Sequence, residues 1–249
     1  MIRWETDTVE LQGPLGRLGS IRALDLWQAR ESVEQCKELV ATIASLSYGN
    51  EAAKNPEALF DSIVNRGHLS CLEFVPECDC TYDSGEHLPV QSLRGCGVEY
   101  LGHQGFTRAK NYFPATAFLV EAPIFVARQW MRHRAFSYLE MSRRYVKDSK
   151  VPFEFYGEDD IGIKFFNTAA TQLYSLMVSN GEKPEVARRV IPVGAITRFW
   201  VGGFDRDWLG AGTKEAPGFC GLRCDPHAQE EIRIFANWIR DFLEAKESK

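Results

Sequence analysis

The chain has 249 residues, 45% hydrophobic and 12% aromatic, which is apolar material enough for a sizeable core in one large domain or two small ones. Its formal net charge of −5 excludes a general nucleic-acid coat, which needs a basic domain, but leaves room for a locally basic pocket that takes a small phosphorylated ligand. Seven cysteines, an odd number, together with no apolar leader in Met1-Ile2-Arg3-Trp4-Glu5 and no run of transmembrane length, predict reduced thiols and a cytoplasmic protein away from membranes.

Residues 1 to 23 read as strand and turn around Gly13-Pro14 and Gly16. Leu24 to Leu46 has a helical period in Leu26, Val33, Leu39, Val40 and Ile43, and Ser47-Tyr48-Gly49-Asn50 is a helix stop. Asn55-Pro56 starts a second helix with Leu59, Phe60, Ile63 and Val64 on its apolar face, and Gly67 is its left-handed end. From Phe74 to about Thr116, glycines, prolines and Cys78-Asp79-Cys80 predict an irregular excursion with one or two short strands. A metal held by Cys78, Cys80 and Cys96 with His87 or His103 is the weaker reading, because the spacing after Cys-x-Cys is irregular; no metal is expected.

The next stretch, Pro123 to Tyr145, carries five arginines (128, 132, 134, 143 and 144) against the single acid Glu140, a local charge of +4 in an acidic protein. Phe118-Leu119-Val120 reads as the end of a strand and Pro123 as the first helical position, which places Arg128, Gln129 and Arg132 on one face. Ser137-x-x-Glu140 reads as a capping box opening a second helical turn. Interleaved Phe125, Trp130, Phe136, Tyr138 and Tyr145 predict that the guanidiniums are partly buried and need an anionic ligand, for which planar forks suit phosphate. Downstream, Val151 to Phe155 is extended, Asn167 to Asn180 a helix closed by Gly181, and Pro184 to Ile191 a helix with Arg188 and Arg189. Thr197 to Phe204 is a strand and Gly210 to Gly221 a loop. Asp225-Pro226 opens a long last helix, which would put Arg223 at its N-terminal field. Neither Gly-x-Gly-x-x-Gly, a Walker A sequence nor Gly-x-Ser-x-Gly occurs, so a bound nucleotide would be held by arginine side chains and not by a glycine cradle.

Arg132-His133-Arg134 followed by seven residues and Ser142 resembles the signature of the flavin-dependent thymidylate synthases. The likeness extends through Ala122 to Trp130, Ala187 to Pro192, Thr197-Arg198-Phe199 and Leu222 to Gln229, and His68-x-Ser70-x-x-Glu73 is similar to the family's upstream element. The resemblance implies an α+β fold, one domain over residues 1–249 with a mixed or antiparallel sheet flanked by helices and an insertion at about 75–116. It implies reductive methylation at C5 of a uridine monophosphate, with FAD, methylenetetrahydrofolate as carbon donor, NADPH as reductant, and a homotetramer with sites at subunit junctions.

Carried over by position, Arg223 and Ser142 are the catalytic residues, Arg223 by stabilising charge on the pyrimidine. Gln129, Arg132, Glu140, Ser142, Arg143, Arg144, Arg188 and Arg223 would hold the nucleotide. Ser47, Ser70, Glu73, Arg132, His133, Arg134, Arg206 and His227 would contact FAD, and His68 would lie by the folate. All these guanidiniums are expected to converge on one site, across subunits. Leu139, Phe204 and Gly210 stand where the family has Asn, Phe74 where it often has His, and 74 to 116 and 211 to 219 are longer than its usual connections. Those departures open the reading that UMP is accepted as well as dUMP, as in nucleoside-antibiotic pathways. Competing readings are an arginine and aromatic surface for single-stranded nucleic acid, and a homologue that binds FAD without turnover.

Overall fold

The computed structural model describes residues 4–26, 28, 32–75, 77–78, 108–109, 114–144, 146 and 150–248. In chain order come β1 (Val9–Gly13), β2 (Gly16–Asp25), α1 (Val33–Ser45), α2 (Pro56–Asn65), β3 (Glu77–Cys78), β4 (Arg108–Ala109), β5 (Ala115–Pro123), α3 (Ile124–Trp130) and β6 (Ser137–Glu140). They are followed by α4 (Ile161–Ser179), α5 (Pro184–Ala187), β7 (Ile196–Phe204), α6 (Asp205–Leu209), α7 (Gly218–Arg223) and α8 (Glu230–Glu247). Five strands form one antiparallel sheet in the order β1-β2-β5-β7-β6. The expected α+β fold is therefore present, with the antiparallel alternative realised.

β5 and β7 are apolar on both faces because helices cover both sides. Leu119 of β5 and Trp200 and Phe204 of β7 belong to a core shared with α1 and α2, through Leu39, Val40, Ile43 and Phe60. The alternate residues Phe118, Val120, Phe199 and Val201 belong to a second core with α3 and α8, through Trp130, Phe235 and Ile239. Period-two alternation thus reads as a continuous apolar run when each face meets a helix. α2 begins as expected, with Asn55 Oδ1 accepting from the Ala58 N–H at 3.1 Å, and Gly67 follows its end at φ 69°. α1 starts later than the periodicity indicated. Leu24 lies in β2, paired with Ala117 of β5, and the helix opens after Ser32, whose capping box with Gln35 the apolar pattern does not show.

Three further expectations are corrected. Ser137 to Glu140 is no helical turn but the edge strand β6, paired with Gly202 to Phe199 of β7, because ladder pairing outweighs a local capping pattern. α4 starts at Ile161, before Asn167, since Asp160 accepts from the N–H groups of Gly162 and Ile163. The last helix opens at Glu230. Asp225 instead closes a turn by accepting the His227 N–H at 2.7 Å, and Arg223 ends α7, which begins at Gly218 within the stretch Gly210 to Gly221 expected to be loop. The excursion does hold two short strands, β3 and β4, paired in parallel; Cys80, His87, Cys96 and His103 lie outside the described residues. Among the described residues no helix is long and apolar enough to cross a membrane.

The junction between β7 and α6 is held from the C-terminal helix. Lys246 Nζ lies 3.4 Å from Asp205, 3.2 Å from Asp25 and 3.5 Å from Glu5, and donates to Thr116 Oγ1 at 3.0 Å. Burial, opposed by Lys246, holds the Asp205 and Glu5 carboxyls above the usual carboxylate range. Burial pulls the Lys246 pKa down, but Asp205, Asp25 and Glu5 together leave it raised. Replacing Lys246 with Met strands three carboxylates, so Lys246→Met is expected to cost about 3 kcal/mol in urea denaturation at pH 7. Both shifted acids bind protons more tightly folded than unfolded, so the deficit should shrink as the pH falls toward the carboxylate range. An unchanged midpoint at pH 7 would show that the ammonium does not hold this junction.

Candidate active site

The turn that leaves α3 is fixed from the edge strand. Tyr138 donates its hydroxyl to the carbonyls of Trp130 (2.5 Å) and His133 (3.1 Å), and burial pushes its pKa up so that it stays a donor. Trp130 is buried against Phe219 (4.8 Å between ring centroids) and Phe199, and Phe136 stacks on Trp208 at 3.9 Å. Trp130 and Phe136 are therefore core, as expected, and Phe125 and Tyr138 pack against it half-buried; Tyr145 lies outside the described residues. Their arginine neighbours are not core: residues 128, 132, 134 and 144 are exposed and Arg143 is half-buried. Adjacent residues on a helix or strand diverge in direction, so buried rings do not bury the guanidiniums beside them.

Into this turn reaches the last residue of α7. Arg223 Nε donates to His133 Nε2 at 2.9 Å and its Nη2 donates to the Gln129 carbonyl at 3.3 Å, while the Gln129 amide donates to Gln229 Oε1 at 2.6 Å. Burial, and then the Arg223 charge, lowers the His133 pKa to about 4. The imidazole is neutral at pH 7, with its Nε2 lone pair accepting and its proton on Nδ1. Both partners of the guanidinium are uncharged, so its positive charge is uncompensated among the described residues. It sits at the end of a short helix and not at a helix N-terminus, so its field is its own charge and not a dipole's.

Two cavities open along α3 and the turn that follows it. One, of about 580 Å³, is walled by Arg128, Arg143, Arg188, Arg189, Glu140 and Glu185 over an apolar floor of Ile124, Met131 and Ile191. Thr197 Oγ1 donates to Glu140 at 2.7 Å, Arg144 Nε reaches Glu185 at 3.3 Å, and Arg143 is spanned between the Val151 carbonyl (2.5 Å) and the Phe153 ring (4.2 Å). The other, of about 380 Å³, is lined by His133, Arg134, Phe136, Arg206, Phe219 and Leu222. The sequence-predicted residues thus divide. Glu140, Arg143 and Arg188 share the first cavity, with Arg144 at its edge through Glu185. His133, Arg134 and Arg206 share the second, and Arg223 and Gln129 join it through His133.

The expected convergence of all these groups on one cavity is not found within one chain. α3 separates them: residues 128 and 129 point about 100° apart, Arg128 to the first cavity and Gln129 to Gln229. Arg132 is exposed and lines neither, though its charge helps lower the Arg223 pKa after burial has done so. Ser142 and Ser47 are brought together, the Ser142 N–H donating to the Ser47 carbonyl at 3.4 Å. His68, Ser70 and Glu73 lie on or beside a 3-10 turn (Leu69–Phe74), and His227 on the turn closed by Asp225; none lines either cavity. Tyr138 and Arg189 were named in the sequence only as an interleaved ring and a helix arginine, and neither they nor Phe219 and Gln229 were given a role at the site. Strand pairing brings in Tyr138, α7 brings Phe219, the 3-10 turn Arg188–Val190 brings Arg189, and Gln229, which ends the last matching motif, arrives through Gln129.

The donor set of the second cavity matches part of a flavin dinucleotide. Two guanidiniums, Arg134 and Arg206, suit a diphosphate, and Phe136, Phe219 and the neutral His133 offer ring surfaces. The chemistry fits, and the volume encloses part of such a ligand.

A locally basic ligand site on an antiparallel α+β fold, with no cysteine among the described residues that wall either cavity, defines the class. The family model described as thymidylate synthase complementing protein (Thy1) matches residues 98–246, more than half of the chain, and the chain belongs to that family. It is 37% identical over 163 residues to a flavin-dependent thymidylate synthase of Thermotoga neapolitana, a match covering 60% of this chain and 70% of the relative. To that of Aquifex aeolicus it is 34% identical over 150 residues, 51% of this chain and 44% of the relative. To that of Pseudothermotoga lettingae it is 31% identical over 157 residues, 56% and 65% respectively. The matches to the second and third thus span less than two thirds of those relatives' length.

If Arg223 is what contributes to the depression of His133, Arg223→Gln must raise the His133 pKa above about 4, though not to its ordinary 6.5, because burial is the larger cause. Proton NMR of the His133 ring between pH 3 and 8 reads this directly, and no movement would separate the two side chains in solution.

Proposed function

We propose that the protein catalyses reductive methylation at C5 of a uridine monophosphate, dUMP or UMP, with methylenetetrahydrofolate as carbon donor, FAD as cofactor and NADPH as the reductant. The observation that carries this reading is the Arg223 guanidinium, bonded to two neutral acceptors. A cation without a carboxylate partner is placed to meet negative charge that develops on a ligand, here the pyrimidine as its C5 gains a carbon. Protonated His133 would lose the acceptor and repel Arg223, so the low pKa keeps the donor aimed.

FAD, when bound and reduced by a hydride from NADPH, would supply the hydride that reduces the transferred one-carbon unit. His133, Arg134 and Arg206 would hold it, and Glu140, Arg143, Arg144 and Arg188 would hold the nucleotide. No protein thiol is needed as nucleophile. The described cysteines agree: Cys36, Cys71 and Cys220 are buried, and burial pushes the Cys71 thiol up to about 11 and those of Cys220 and Cys224 upward too. The division of the residues between two cavities supports a homotetramer in which a neighbouring chain completes each site.

Leu139 packs into the α1-side core, opposite Glu140, so its replacement of Asn gives no direct contact through which to admit a 2′-hydroxyl. Acceptance of UMP then rests on the longer loops alone. The silent-homologue reading keeps its basis in Phe204, which is buried in the core where the family has a polar residue.

Incubation of the FAD-loaded protein with NADPH, methylenetetrahydrofolate and either dUMP or UMP should give the 5-methyl nucleotide by mass analysis. Arg223→Ala should lower the turnover about a hundredfold or more, the size of losing one charge-stabilising donor, while the flavin spectrum stays. No methylated product from either nucleotide, with flavin bound, would leave the silent homologue; turnover of dUMP alone would remove UMP.

A further inference from the structure

The charges of the 580 Å³ cavity exceed what one phosphate requires. Four guanidiniums face two carboxylates on its wall, a balance of +2, and Arg144, which already neutralises Glu185, makes it +3. A phosphate monoester carries about −1.5 to −2 at pH 7. The arginines are also unequally engaged. Arg143 is fixed by the Val151 carbonyl and the Phe153 ring, and Arg144 by Glu185. Arg128, Arg188 and Arg189 have no hydrogen bond or ion pair among the described residues. They come from two elements: Arg128 from α3, Arg188 and Arg189 from the 3-10 turn (Arg188–Val190) after α5. Three unpaired forks round one concavity repel one another unless more than one anionic group enters.

We propose that Arg128 and Arg189 form a second anion subsite beside the phosphate-holding Arg188, so that this cavity takes ligands carrying two anionic groups. The inference rests on the reading of this cavity as the nucleotide site and deepens it. Two sources share the chemistry: the β-phosphate of a nucleoside diphosphate, which would bind as substrate or product-like inhibitor, and the carboxylates on the glutamyl tail of the reduced folate. The apolar floor of Ile124, Met131 and Ile191 gives either ligand a surface for its uncharged part. Guanidinium forks bind both groups in the same bidentate manner, so the arginines alone do not choose between them.

The test is calorimetric titration of the full-length, FAD-loaded protein and of its Arg128→Gln, Arg189→Gln and double variants, with UMP against UDP and with mono- against triglutamyl tetrahydrofolate. Both residues are exposed, so folding should be retained, and thermal melts check this. At least one of the two pairs should show a gain of about tenfold or more for the ligand with the extra anionic groups, the size of one added charged hydrogen bond. The double variant should reduce that ratio to near one, and the wild-type advantage should fall steeply with salt. A gain in the nucleotide pair assigns the β-phosphate, and a gain in the folate pair assigns the tail. If neither pair shows a gain, or the gain survives in the double variant, the subsite does not exist. Loss of methylation on dUMP and UMP with the ratio effect intact would instead refute the proposed reaction and keep the subsite.

Discussion

A guanidinium bonded only to a neutral imidazole and a backbone carbonyl is a positive charge that the fold has positioned without neutralising. That arrangement at Arg223 is the constraint on which the site depends, and it is maintained from three sides. α7 delivers the side chain, the turn after α3 supplies both acceptors, and Tyr138 of the edge strand ties that turn through two carbonyls. Burial keeps His133 uncharged, because an imidazolium there would lose solvation and face Arg223 at 2.9 Å. Desolvation, elsewhere a cost, here secures the direction of a charge.

The sheet explains why the cavities lie where they do. β5 and β7 are covered on both faces, so their interior offers no room for a ligand. Open space is left where the covering stops: at the edge strand β6 beside α3, and where α6 and α7 turn back over the turn that follows α3. Arg206 follows Asp205 at the first turn of α6, and Asp205 is anchored to Lys246 of the last helix. A contact at the far end of the chain thus bears on the wall of the second cavity.

The two cavities divide the chemistry. One sets three arginines that are unpaired among the described residues, Arg128, Arg188 and Arg189, over an apolar floor and suits anionic groups; the other sets two arginines among rings and suits part of a flavin dinucleotide. Within one chain the two cavities stay separate, with no lining residue in common.

Much of this was legible in sequence where local physics decides. Asn55-Pro56, Gly67 and Gly181 marked helix ends because caps and left-handed turns are properties of single residues, and the charge of residues 123–145 marked the site because five arginines and one acid need no fold to be counted. The register of Arg132-His133-Arg134 and Ser142 was enough to place the family. What tertiary structure alone decided was every question of partner and side. Ser137 to Glu140 became a strand because β7 offered a ladder, Arg223 ended one helix and did not precede another, and Arg128 and Gln129, neighbours in sequence, went to different neighbourhoods. The composition of a chain fixes which charges exist; only packing, which sets direction and removes water, determines which of them are left without a counter-ion.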